Sequence, residues 1–325
     1  MRSFLLNILY FSLIAIVIHI VFAYCADGST DEYYLKFSSS KQSSLVLGTS
    51  RALQGVIPSV VDSVLDYQSP NLFNFAFTLT SSPYGECYFD AIKAKLENEN
   101  PKGYFIITID PWSISERKSI PPEIDDRRSV LFGMRNFNSH PNFEYLMKKY
   151  PSGWGMIPFK NLELMLLKKN YKKLYKKLNN SVKGSFTYLN NDGWLDVYTS
   201  SDKTFVAQKE VKKFSIYKQN SLDRQFSTYR YDYLIKIIEY LNSRGKVYLV
   251  RLPVHPAMLQ IERDYIANFD HLISTAIGKS EGYLDMTTIE PGHNFTDGNH
   301  LSRHSANDVS IEIGKWISSS LKNNN

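Results

Sequence analysis

Cysteine is nearly absent. Cys25 and Cys87 are the only two in 325 residues and no C-x-x-C occurs, which excludes a disulfide framework and a thiolate zinc site. No Gly-x-x-x-x-Gly-Lys run is present, so a P-loop is excluded as well. No internal repeat is visible. Neither sign of charge prevails: 38 Lys and Arg against 32 Asp and Glu leave a formal +6, too thin a surplus to define an acidic partner. The largest gap in charge is local. From Phe4 to Ala26 the chain reads FLLNILYFSLIAIVIHIVFAYCA without one Lys, Arg, Asp or Glu.

That uncharged run exceeds the ~20 residues needed to cross a bilayer core. Arg2 precedes it and Asp27, Asp31 and Glu32 follow, an order that puts the N-terminus inside and the rest of the chain outside the cytoplasm. The expectation is a single-pass anchor over residues 1–26. A cleaved signal peptide is the rival reading, although the apolar core exceeds the usual ~7–15 residues of such segments. A lipoprotein signal fits less well, because Tyr24 precedes Cys25. Export also makes nucleic acid a poor partner.

The chain as a whole is 43% hydrophobic, enough for a sizeable core beyond the leader. Apolar runs of strand length recur at Ser44–Gly48, Leu72–Phe77, Tyr104–Ile109, Lys246–Leu252 and Gly282–Met286. Helical spacing fills the intervals near Pro58–Leu65, Pro83–Glu97, Arg230–Arg244 and Pro256–Ile277, with a closing helix near Ser302–Leu321. Continuous apolar strands separated by helices predict a doubly wound α/β domain with a parallel sheet covered on both faces. Chemistry in such folds lies beyond the carboxyl ends of the strands.

The rhythm breaks from Ser113 to about Ser227. This stretch reads as an insertion folded over the strand edge as a lid, with a helix at Leu162–Leu178 carrying KKNYKKLYKKL and a turn at NNDGW, Asn190–Trp194. The lysine run is either a solvated helix face or a contact for lipid headgroups or an anionic envelope polymer.

Two short segments carry chemistry. LVLGTSRALQG, Leu45–Gly55, ends a strand on Gly48 and follows it with Thr49, Ser50 and Arg51; Ser50 is either a nucleophile or a cap for the next helix. GHNFTDGNHLSRHSA, Gly292–Ala306, holds Asp297 and His300 two residues apart in a glycine-containing turn before the last helix. That spacing lets a carboxylate hold imidazole Nδ1–H while Nε2 faces outward as a base. Arg51 is placed either to hold an anionic group or to pair with a carboxylate. Asp110, in TIDPWSI, and His255, in RLPVHP, follow strands and lie on the same edge. His293, Asp297, His300 and His304 could be read as metal ligands, but no thiolate or glutamate base accompanies them.

Gly48-Thr-Ser50 with Asp297-x-x-His300 resembles the SGNH/GDSL hydrolase superfamily. The resemblance implies a three-layer α/β/α, flavodoxin-like fold with a Ser-His-Asp triad of Ser50, His300 and Asp297 and no metal or cofactor. In that family a second block contributes a backbone amide to the oxyanion hole. FNFAFTLTSS aligns there, with Asn74 in the neighbourhood and Leu79 near the glycine position. The third block normally supplies an asparagine side chain; here Asp110, Pro111 and Trp112 stand instead. The leader, the Gly-Thr-Ser-Arg block, the Asp-Pro block, RLPVHP and DGNHL are similar to the membrane-tethered bacterial branch that includes the D-alanyl transfer protein and the alginate O-acetylation proteins. That branch implies an acylated surface glycan or small ester as substrate, with a membrane acyl-donor protein as partner. The missing asparagine keeps a second expectation open, a catalytically inactive envelope binding or assembly protein.

Overall fold

The computed structural model describes residues 1–25, 31–65, 71–81, 83–97, 103–149, 185–200, 202–288 and 292–323. Its centre is a five-stranded sheet, all parallel, built from β1 (Ser44–Leu47), β2 (Leu72–Asn74), β3 (Gly103–Thr108), β8 (Gly245–Arg251) and β9 (Gly282–Asp285) in the order β2-β1-β3-β8-β9. The register aligns Val46 with Asn74 on one side and Ile106 on the other. All four residues of β1 are buried, as are Phe105, Ile106 and Ile107 of β3. A strand buried on both faces has no polar side to alternate with, and each such side chain contributes roughly 1.5–3 kcal/mol of burial.

Helices cover both faces. Arg303–Asn323 packs on Pro58–Leu65 and Ser50–Gly55, while Thr228–Asn242 packs on β8, Glu86–Lys95 and Ser274–Gly278. The chain lays β2 on one side of β1 and β3 on the other, so the order reverses at β1 and opens a crevice at its carboxyl end. Ser50 stands there.

Two sequence expectations are corrected. Pro256–Ile277 is not one helix: Ile266 turns extended, and the segment divides into Pro256–Tyr265, Phe269–Leu272 and Ser274–Gly278. The run Leu72–Phe77 keeps its ladder only to Asn74, although the amides of Phe75 and Phe77 still donate to the carbonyls of Val46 (2.8 Å) and Gly48 (3.3 Å). The lysine-rich stretch Leu162–Leu178 lies outside the described residues.

The interval 113–227 is closed at its base by the antiparallel pair β4 (Ser115–Arg117) and β7 (Arg224–Phe226). Within it, β5 (Ser185–Leu189) and β6 (Leu195–Thr199) form a hairpin whose tip is the NNDGW turn. That tip docks on the free edge of β2: the Asn74 amide donates to the Asp192 carbonyl (2.8 Å), and Trp194 Nε1 donates to the Gln54 carbonyl (2.8 Å). Helix Lys203–Asp223, the cover helix below, starts on an Asp202 cap whose carboxylate accepts the Phe205 amide and packs along Pro256–Tyr265.

The N-terminal helix runs from Arg2 to Cys25, with Phe4, Leu5, Ile14, Val17 and Val21 among its exposed apolar side chains. Among the described residues no helix is long and apolar enough to cross a membrane.

Two lysines are buried near the β2 edge. Lys36 Nζ donates to the carbonyls of Asn74 and Gly193, tying the hairpin to the sheet. Lys95 Nζ donates to the Ser39 carbonyl (2.6 Å), Ser39 Oγ (2.9 Å) and Asn138 Oδ1 (3.1 Å). Burial pushes the Lys95 ammonium down to about 7. Since its unfolded value is about 10.4, the unfolded chain binds the extra proton between those limits, and stability rises with pH across that window. The slope from this group reaches about 1.4 kcal/mol per pH unit in the middle of that window. Urea midpoints should therefore increase from pH 7 to pH 9 in the parent protein and increase less in Lys95→Met; parallel slopes would exclude Lys95 as the source.

Candidate active site

Gly48 shapes the turn out of β1. It sits at φ +141°, and a Cβ there would collide with Thr108 Oγ1 of β3, so only glycine is accommodated. Its amide takes the Tyr88 hydroxyl as acceptor (3.1 Å). Thr49 follows as an extended cap that makes no side-chain bond, which leaves the first-turn amides of helix Ser50–Gly55 without a capping side chain. Ser50 opens that helix, half-buried, at the carboxyl end of β1.

The turn before the last helix arrives from the other end of the chain. Gly298, at φ +78°, lets Asp297 fold back on its own backbone, and Asp297 Oδ1 accepts the amides of Asn299 and His300, each at 3.0 Å. The carboxylate also faces His300 Nδ1 at 3.0 and 3.1 Å. His300 Nε2 stands 2.8 Å from Ser50 Oγ. The three groups lie in one line of hydrogen bonds, with His300 only 8% exposed. Burial alone would raise the Asp297 carboxyl, but His300 and Lys213 outweigh it and hold the group well below the usual carboxylate range. With a fixed anion at Nδ1, the favoured neutral tautomer carries its proton there and leaves the Nε2 lone pair to the Ser50 hydroxyl.

The other residues singled out from sequence have different places. Arg51 is fully buried and spent on protein partners: Glu262 at 2.5 Å, Asp110 at 3.8 Å and, through Nε and Nη2, Asn299 Oδ1 at 3.1 and 2.7 Å. Burial opposes its charge, yet the two carboxylates raise its pKa above the ordinary value. It is therefore no free anchor for a substrate anion. Asp110 Oδ1 accepts the amides of Trp112 (2.9 Å) and Ser113 (3.0 Å), so it caps its own turn and balances Arg51 instead of facing substrate. Burial pushes its carboxyl up while Arg51 pulls the other way.

Asn74 is also corrected. Its amide donates to the carbonyls of Ala52 (2.8 Å) and Val56 (3.0 Å) and its oxygen accepts the Ala76 amide (3.1 Å). Both donors are consumed in holding the Ser50–Gly55 helix to β2, which leaves none for an oxyanion. Leu79 is half-buried against the cluster of Trp112, Val254, Met258 and Ile261, in the turn that the Phe77 amide ties to Gly48. His255 caps Pro256–Tyr265, its Nδ1 accepting the Ala257 amide (3.1 Å), and its ring lies between Phe214 and Phe295. It lines a cavity of about 620 Å³ together with His293. His304 is 84% exposed and faces Asp308; among the described residues no cluster of three or more His, Cys, Asp or Glu is arranged to hold a metal.

Sequence reasoning missed four contributors. Glu262, fully buried, joins Arg51, Arg251 Nη2 (3.2 Å) and Trp112 Nε1 (3.0 Å); a carboxylate beside Met258 and Ile261 on the buried face of an amphipathic helix was the signal. Asn299 carried none beyond adjoining His300. Lys213 of the cover helix reaches Asp297 Oδ2 at 3.0 Å. Phe214, one residue on, sits so close to the turn that a Cβ on Gly298 would approach its ring to 2.5 Å. The next helical turn sets Tyr217 edge-on against Trp112, with centroids 4.8 Å apart. The cover helix thus touches the Asp297–His300 turn at side-chain distance. No protein-family model, curated protein or solved structure matches this chain, and the functional reading rests on the Ser50, His300 and Asp297 geometry.

Proposed function

We propose that the protein is a serine esterase or O-acyltransferase of the SGNH type, acting on acyl esters of a cell-envelope glycan or on small esters from the outer side of a membrane to which Arg2–Cys25 anchors it. The observation that carries this reading is the 2.8 Å contact between Ser50 Oγ and His300 Nε2, backed by Asp297. The strand order 2-1-3 followed by two further parallel strands is that of doubly wound flavodoxin-like sheets, which supports the finer fold assignment.

In this mechanism Ser50 Oγ attacks the ester carbonyl carbon while its proton passes to His300 Nε2. Asp297 stabilises the imidazolium that forms. The oxyanion is met by backbone amides, those of Ser50 at the uncapped helix start and of the Leu79 turn beside Gly48. Collapse of the adduct breaks the bond to the leaving oxygen, which takes the proton from Nε2 and leaves an acyl-serine. A water or glycan hydroxyl then repeats the sequence in reverse, giving hydrolysis or transfer. The envelope location favours transfer to a polymer hydroxyl, with a membrane acyl-donor protein as the source of the acyl group.

A fluorophosphonate probe reacts with a serine activated in this way. The full-length protein in detergent is expected to acquire one probe adduct, at Ser50 by peptide mass, and Ser50→Ala is expected to acquire none. Labelling retained in Ser50→Ala would remove the assignment.

A further inference from the structure

We infer that Asn299 is a catalytic residue of the proposed reaction: its side-chain amide donates to the leaving oxygen during acylation and, in the reverse direction, to the incoming hydroxyl. This rests on the reading of Ser50 as nucleophile. Arg51 has only donors, and two of them, Nε and Nη2, converge on one atom of the Asn299 carboxamide. That atom must be the oxygen. The amino group consequently points the other way, where Nδ2 stands 3.2 Å from His300 Nε2.

The arrangement cannot relax by an amide flip, because a flip would set the amino group against a guanidinium. Nor can Arg51 swing aside, since Glu262 holds it at 2.5 Å and Glu262 is itself held by Arg251 and Trp112. Asn299 is 1% exposed and its own amide is fixed by Asp297. The result is a preorganised donor at the atom that receives the serine proton.

Its partner changes as the reaction proceeds. Before attack, the Nε2 lone pair faces both the Ser50 hydroxyl and the Asn299 amide. Once Nε2 has taken the proton, that lone pair is gone and the amide proton loses its acceptor. The oxygen that next approaches Nε2–H is the ester's leaving oxygen, which gains negative charge as its bond to carbon breaks. A donor already directed to that place is stronger in the transition state than in the ground state, the condition for accelerating a step. In deacylation the same amide holds the lone pair of the attacking hydroxyl while Nε2 takes its proton, so Asn299 orients the acceptor.

The test is leaving-group dependence. A nitrophenolate departs without help, whereas an alkoxide needs a donor. For the full-length protein, kcat/KM is measured on p-nitrophenyl acetate and on trifluoroethyl acetate, in the parent and in Asn299→Ala. The expected result is that the variant disfavours the alkyl ester over the aryl ester by about 10²-fold more than the parent does. Asn299→Asp keeps the oxygen for Arg51 and the shape of the side chain but loses the amide donor, so it should show the same change of ratio even if the alanine variant folds poorly. Both esters falling by equal factors, or neither falling, while the parent turns both over, overturns the role of Asn299 and leaves Ser50 as nucleophile. No turnover of either ester by the parent removes the nucleophile and this inference with it.

Discussion

His300→Ala is expected to lower kcat/KM on a chromogenic acetyl ester by roughly 10³-fold or more, a loss of about 4 kcal/mol in transition-state stabilisation. The ring faces the Ser50 hydroxyl, with Nε2 2.8 Å from it and Asp297 bound to the opposite nitrogen. A hydroxyl with no base must release its proton to water, and the attack loses its driving force. In the proposed mechanism the two groups act as a unit, so Ser50→Ala should cost about as much, and the double variant little more than either. Additive losses would mean that the residues act separately. Equal turnover in the parent and both single variants would leave an envelope binding or assembly protein as the reading that fits.

Glu262→Ala is expected to destabilise the fold by about 3–5 kcal/mol, read from urea unfolding at neutral pH. The carboxylate is fully buried between Arg51 and Arg251 and also accepts from Trp112 Nε1. Removing it leaves two guanidinium groups in the interior with one counter-charge fewer, and an indole donor without its acceptor. Desolvation makes an uncompensated buried charge far more costly than the pair was favourable. The double variant Glu262→Met with Arg51→Met should therefore be more stable than Glu262→Ala, because it removes a charge of each sign together. A loss below about 1 kcal/mol for Glu262→Ala would show that Asp110, 3.8 Å from Arg51, and Asp285, 4.0 Å from Arg251, balance the two arginines without it. Activity should fall further than stability alone explains, since Arg51 sets the orientation of Asn299.

The elements that were legible beforehand share a property: their cause lies within a few residues. Ser44–Leu47 and Gly103–Thr108 read as strands because unbroken apolar runs suit only a strand covered on both faces. Asp297 and His300 read as partners because three positions of one turn bring a carboxylate and an imidazole together wherever that turn is placed. The break of Pro256–Ile277 into three helices was less legible, since its apolar spacing continues past Ile266 although the backbone there is extended.

The roles of Arg51, Asp110 and Asn74 are not legible in the sequence for the opposite reason. Each lies at the end of a strand, where sequence position alone suggests exposure to a ligand. Whether such a side chain faces a cavity or a protein partner depends on what other elements bring to it. Glu262 comes from a helix more than two hundred residues from Arg51, and Ala52 and Val56 present carbonyls to Asn74 of β2 from the helix Ser50–Gly55 and its C-cap.

By itself the sequence determined the α/β alternation, the glycine at the end of β1 and the Asp297–His300 pair, since hydrophobic period and turn chemistry act over short range. The tertiary structure alone decided that Ser50 meets His300, that Lys213 of the cover helix reaches Asp297 and that Arg51 turns the Asn299 amide toward the base. Those contacts join segments up to 250 residues apart, and the order of strands in the sheet, which no local pattern encodes, determines which segments become neighbours.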